Sequence, residues 1–179
     1  MYIFIKLVNY IKGDSMYYLN IFFLFSFLGH ILENIIYTKV DSGILYGLWT
    51  PIYGFGVIFI ILINNFLKKF NFNVFFRGFL LFLSSAIILA IIETLGGYFI
   101  EIVYGRIFWI YNLHFISLGK YTSIQMMVLW GISSILVIFL IIPIVDKFIH
   151  KIPKYLTYFF IYIFIYDIFY TYMRLGNFL

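Results

Sequence analysis

The chain has no cysteine among its 179 residues, which excludes disulfides, thiolate nucleophiles and cysteine-ligated metals. Charge is scarce as well, with 11% of residues Asp, Glu, Lys or Arg and only seven acids. A soluble domain carries about a quarter charged residues, and too little polar surface is present here to cover a globule in water. No GxxxxGK[ST] occurs, so the chain does not hold ATP in a P-loop by itself. GxSxG in a helpful context and HExxH are also missing, so no catalytic residue is assigned, and neither a metal site nor a cofactor is expected.

What is present is apolar. Hydrophobic residues make up 65% of the chain and mean hydropathy is +1.07. The expected fold is all-α, a polytopic membrane helical bundle of about five transmembrane helices. A Gly/Pro/aromatic-rich capping segment and an amphipathic interfacial segment complete it. One integral membrane domain is expected over 17–179, preceded by a cytoplasmic interfacial segment at 1–16 that holds Lys6, Lys12 and Asp14. The net charge of +5 comes from basic residues flanking apolar runs. They are read as topology determinants rather than a nucleic-acid surface, so the lipid bilayer is the expected partner. Heavy use of Ile, Phe, Tyr, Asn and Lys fits an AT-rich bacterial coding bias, which points to a bacterial cell membrane.

Residues 43–56, GILYGLWTPIYGFG, organise the rest. Gly47, Gly54 and Gly56 admit backbone conformations or close approaches that other residues resist, and Pro51 fixes its own φ. With Tyr46, Trp49 and Tyr53 packed around it, the segment reads as a shaped cap or shallow re-entrant turn, since exposed backbone cannot sit in lipid. Spans are expected over about 17–38, 52–67, 74–103, 121–145 and 155–173. The aromatic stretch 104–120 sits at headgroup level, and a basic link covers 146–154. Five spans put the termini on opposite sides. With the N-terminus inside, Lys6, Lys12, Lys68, Lys69, Arg77, Lys147, Lys151 and Lys154 are inner, while Lys39, Arg106, Lys120 and Arg174 are outer. Eight against four favours a cytoplasmic N-terminus and an extracytoplasmic C-terminus.

That topology sends Glu33, Glu93, Glu101 and Asp167 to the outer half. A charge deep in a membrane costs roughly 2.5–3.5 kcal/mol on insertion scales and marks a functional candidate. Glu93, Gly97 and Glu101 follow an i, i+4, i+8 pattern and share one face over about 12 Å. His30 and Glu33 are placed to pair, as are Glu33 and Tyr37. The candidate polar cluster is His30, Glu33, Tyr53, Glu93, Glu101, Trp109, Tyr111 and Trp130. Gly47, Pro51, Gly54, Gly56 and Gly97 are its structural support. The tyrosines at 155, 158, 162, 166 and 170, and Met126 and Met127, read as packing.

At these residues the chain resembles the CmpB-like family of ABC transporter permeases, small bacterial integral membrane proteins. The resemblance rests on FFLFSFLGHILE (22–33), GILYGLWTPIYGFG (43–56), the span of Glu93 and Glu101, WIYN (109–112) and Trp130–Gly131. It covers about residues 20–150. The family pattern has LYGP where Leu48 stands here, WDYS in place of WIYN, and an aromatic residue at His30. The resemblance implies a multi-pass plasma-membrane component of a transport system, with ATP hydrolysis supplied by a separate ATPase subunit.

Three readings follow. The first is a permease-like protein binding a small solute or ion in an outer-facing polar pocket. The alternative is a structural or assembly protein that docks another membrane protein through its aromatic outer face, with the carboxylates as packing glue. The third is an intramembrane acid–base enzyme, for which the sequence offers no substrate.

Overall fold

The computed structural model describes residues 15–36, 44–111 and 116–175. The expected N-terminal interfacial segment lies outside these residues except for Ser15 and Met16, as do Tyr37, Lys39, Asn112 and His114. Among the described residues the regular elements are helices: α1 (Ser15–Ile36), α2 (Pro51–Leu67), α3 (Val74–Tyr104), α4 (Ile124–Leu136), a π-helical turn at Val137–Ile141, α5 (Ile142–Ile149) and α6 (Lys154–Leu175). A bridge between extended residues joins Ser117 and Ser123.

Local chemistry sets the boundaries. Asn73 and Ser123 cap α3 and α4, their side-chain oxygens accepting from the N–H groups of Phe76 and Met126. Pro51 opens α2, where its missing N–H would have had no partner. Gly105 closes α3 in the left-handed conformation, φ 64°, which favours glycine. The π turn also has a cause. Pro143 cannot donate to Phe139 and its ring would strike that carbonyl, so the helix widens and the N–H of Ile142 reaches Val137.

Among the described residues, four segments are long and apolar enough to cross a membrane: Ser15–Ile35, Val74–Tyr104, Ile124–Ile149 and Lys154–Leu175. The fifth expected span, α2, is shorter at 17 residues, close to the lower limit for crossing the hydrocarbon. The spans differ in detail from the sequence expectation. Ile124 rather than Tyr121 begins the fourth, which runs on to Ile149, so Asp146 and Lys147 are helical and the basic link shrinks to a turn before Pro153. The glycine-rich stretch divides at Pro51: residues 44–50 are the cap, and PIYGFG is the first turn and a half of α2.

α3 shows how a membrane helix sorts its faces. Phe79, Leu83, Ile87, Ile91, Leu95 and Ile102 form an exposed apolar stripe that suits lipid. Leu81, Ser85, Ala86, Leu89, Ala90, Glu93 and Gly97 turn inward, small residues letting the neighbouring helices close in. α2 packs between α1 and α3, α4 packs on α3, and α6 lies against α1. Ile21, Phe25, Ile60, Leu81, Leu89, Val137 and Ile149 belong to the shared core. Thr157 at the start of α6 donates to Asn20 Oδ1 at 2.7 Å, a buried polar tie to α1.

Gly54 sits where α1 and α2 touch, and a Cβ there would overlap Ser26 Oγ and the Phe22 carbonyl. Gly96 has nothing within 4 Å of such a Cβ. Gly54→Leu is expected to lower the thermal unfolding midpoint in detergent, at an overpacking cost of about 1–3 kcal/mol. Gly96→Ala should leave the midpoint unchanged or raise it. Equal behaviour of the two variants would contradict the close α1–α2 approach.

Candidate functional site

One end of the bundle gathers the last turns of α1, α3 and α6, the first turns of α2 and α4, the cap and the 105–123 connection. Glu93 is buried in α3, 3% exposed. Its carboxylate takes hydrogen bonds from the Tyr111 hydroxyl (2.9 Å), Thr122 Oγ1 (3.2 Å) and the Trp130 indole (3.4 Å). All three donors are neutral. Among the described residues no basic group pairs with it. Tyr111 and Thr122 come from the connection and Trp130 from α4, so one carboxylate pins both onto α3.

Two helical turns on, Glu101 has the opposite surroundings. It is half-exposed, with Lys120 Nζ on Oε1 and the Tyr121 hydroxyl on Oε2, each at 2.5 Å. The Glu101 bond holds the Lys120 ammonium's pKa above its usual value. The Tyr121 ring is buried and fills the space over Gly97, where a Cβ would overlap it. Trp109 and Tyr98 meet that ring at 5.8 and 5.0 Å. The spacing Glu93–Gly97–Glu101 therefore builds one face, with a different kind of partner at each end.

Glu33 stands apart from this face. Its carboxylate lies against the hydroxyls of Tyr53 and Thr50, and Tyr53 packs on Trp130 with centroids 5.7 Å apart. Glu33 is thus linked to Glu93 through the Tyr53–Trp130 pair rather than by direct contact. His30 does not pair with Glu33; its Nε2 is 2.9 Å from Asn34 Nδ2, because i+4 on a helix brings that amide above it. His30 Nδ1 and Ser26 Oγ are buried and lack a hydrogen-bond partner. Ser26, His30 and Glu33 follow one face of α1. The Thr50 N–H donates to the Ser26 carbonyl at 3.0 Å, and the Tyr53 ring covers Gly29.

Asp167 completes the end. Both of its oxygens accept the Gly47 N–H at 3.0 Å, and Thr171 Oγ1 accepts the Tyr46 N–H at 3.2 Å. α6 thereby holds the cap by its backbone, and a Cβ on Gly47 would strike the carboxylate. Pro51, Gly54 and Gly56 act as helix-start and helix-contact residues.

Tyr121, Thr122, Thr50 and Ser26 were not in the sequence-derived cluster. Thr122 had a readable signal, since Thr-Ser ahead of an apolar run marks a helix start. Nothing in the linear pattern placed Tyr121 over Gly97. No cluster of three or more His, Asp or Glu side chains suited to a metal occurs among the described residues. A shallow apolar groove of about 280 Å³ between α3 and α4 shares only Thr122 with the carboxylate's partners. A larger cleft lies at the opposite end of the bundle.

A family model described as "Putative ABC-transporter type IV" matches residues 20–172, which include all four carboxylates of this end and their partners. No curated protein and no solved structure matches the chain.

Trp130→Phe keeps the ring against Tyr53 but removes a donor from buried Glu93. It is expected to destabilise by about 1 kcal/mol, read as a lower unfolding midpoint in detergent. Glu93→Leu, which strands three donors at once, should cost more than the Trp130 change; a smaller loss would contradict the shared carboxylate. Gly97→Ala should lower the midpoint by displacing Tyr121, unlike its neighbour Gly96→Ala.

Proposed function

The chain belongs to the CmpB family of ABC-transporter type IV proteins, and from that premise we propose that it is a permease-like membrane component of a transport system. In this reading a small solute or ion is received at the Glu33 end of the bundle. The observation that carries the reading is the pair of buried, unpartnered polar atoms on Ser26 and His30, on the face of α1 that leads to Glu33. Packing glue satisfies its polar groups, as Glu93 does; groups left without partners inside a membrane protein call for a polar occupant. Glu33 supplies negative charge for a cation or an amine, and the hydroxyls of Thr50 and Tyr53 supply hydrogen bonds. Glu93 then serves as the anchor of the Trp130–Tyr53 wall. The carboxylates act here as binding groups, and no acid–base reaction is assigned to them.

Energy comes from a separate ATPase subunit, because the chain carries no P-loop. The Glu33 end faces outward and the N-terminus lies in the cytoplasm. Six basic residues support this orientation at the opposite end (Lys68, Lys69, Arg77, Lys147, Lys151 and Lys154), against Arg106, Lys120 and Arg174 at the Glu33 end.

The assembly reading keeps one specific support. Asp167 and Glu101 each hold a loop in place rather than face a space, which suits a rigid outer surface for docking a partner.

Affinity purification from membranes in mild detergent, with mass spectrometry of bound subunits and small molecules, separates the two. A nucleotide-binding subunit is expected, together with a small molecule that is lost in Glu33→Gln but retained in Lys151→Gln. Recovery of a cell-envelope enzyme alone would favour docking instead. The absence of native cysteine makes orientation directly testable. Ile107→Cys should react with an impermeant maleimide in intact cells and Lys151→Cys only after lysis; the reverse pattern would invert the topology.

A further inference from the structure

At the other end of the bundle a cleft of about 730 Å³ opens between α1, α2, the start of α3 and α5. One wall is apolar. Ile138 and Phe139 from the π turn, with Ile142 and Pro143, build it. The widening forced by Pro143 is therefore what shapes this wall, and π turns occur often at functional sites. The facing wall carries Asn64, Lys68 and Arg77. The Arg77 guanidinium lies over the Phe139 ring at 5.5 Å, yet its buried Nε has no hydrogen-bond partner. Asn64 is 4% exposed and its Oδ1 is likewise unpartnered.

A carboxylate is present in the cleft but is engaged elsewhere. Asp146 Oδ1 accepts from the Tyr17 hydroxyl at 3.0 Å, and Tyr17 stacks on His150 at 5.1 Å. Among the described residues neither Lys68 nor Arg77 forms an ion pair. Two cations thus line a half-buried space, and among the described residues the one acid lining it is bonded to a tyrosine. An uncompensated cation at membrane depth is costly, and a guanidinium fork matches a phosphate's oxygens well.

We propose that this cleft binds a negatively charged phosphate group, with Arg77 and Lys68 as its counter-charges. The apolar wall beside the cations provides a place for an acyl chain, so an anionic phospholipid and a free phosphate share the recognising chemistry. The site lies at the opposite end from Glu33, so its failure leaves the solute-binding reading untouched.

The test uses full-length protein in a neutral maltoside detergent, titrated with sodium phosphate, short-chain phosphatidylglycerol or short-chain phosphatidylcholine at constant ionic strength. The thermal unfolding midpoint is the readout. The midpoint is expected to rise with phosphatidylglycerol if the phosphate is a lipid headgroup, or with inorganic phosphate if it is free; either supports the site. Arg77→Gln should weaken the response about tenfold, the size of one lost charge-assisted hydrogen bond. Lys68→Gln, at an exposed position, gives the same reading should the Arg77 variant not fold. Lys151→Gln removes an equal charge outside the cleft and should respond as wild type. No rise with either phosphate compound, an equal rise with phosphatidylcholine, or equal weakening by Lys151→Gln would overturn the proposal. So would a response that Lys68→Gln leaves intact.

Discussion

The constraint behind this structure is the one that hydrocarbon places on a carboxylate: it must find its partners within the protein. Glu93 meets it with three neutral donors drawn from two different parts of the chain. Satisfying that one group fixes where the 105–123 connection lies and how α4 leans on α3. The Trp130 ring, oriented by its bond to Glu93, then sets the surface on which Tyr53 and the start of α2 rest. Without Glu93, the connection would keep its tether at Glu101 and Tyr121 but lose the buried half of its attachment.

The two ends of the bundle solve different problems. At the Glu33 end, acids are matched by hydroxyls, an indole, backbone N–H groups and one lysine, and aromatic rings fill the gaps. At the opposite end, basic side chains line a cleft where, among the described residues, the one acid is held by Tyr17. The asymmetry follows from a sequence with twelve basic and seven acidic residues distributed unevenly along alternating helices. It gives each face of the membrane its own electrostatic character.

Much of the fold was legible because membrane helices announce themselves by length and composition. The gathering of Glu33, Glu93, Glu101 and Asp167 at one end followed from counting spans, whereas the capping roles of Asn73, Pro51 and Gly105 emerged only with the structure. The partners were less legible. His30 turned to Asn34 rather than Glu33, a choice between i+3 and i+4 neighbours that spacing alone does not decide. Tyr121 over Gly97 joins positions separated by a whole connection, and linear pattern carries no information on which ring fills which gap. The π turn was in principle readable from Pro143, since a proline inside an apolar run must disturb the carbonyl four residues before it.

The 31 residues of α3 reach further than any bilayer core, about 46 Å at the helical rise against roughly 30 Å of hydrocarbon. Its two inward glutamates are about 12 Å apart along the axis and so need not share one medium. Glu101, nearer the helix end, is partly exposed and paired with an ammonium. Glu93 is a dry neighbour on the same rod. The Lys120–Glu101 pair is therefore a contact that salt screens, whereas the three neutral donors on Glu93 make one that ionic strength does not reach.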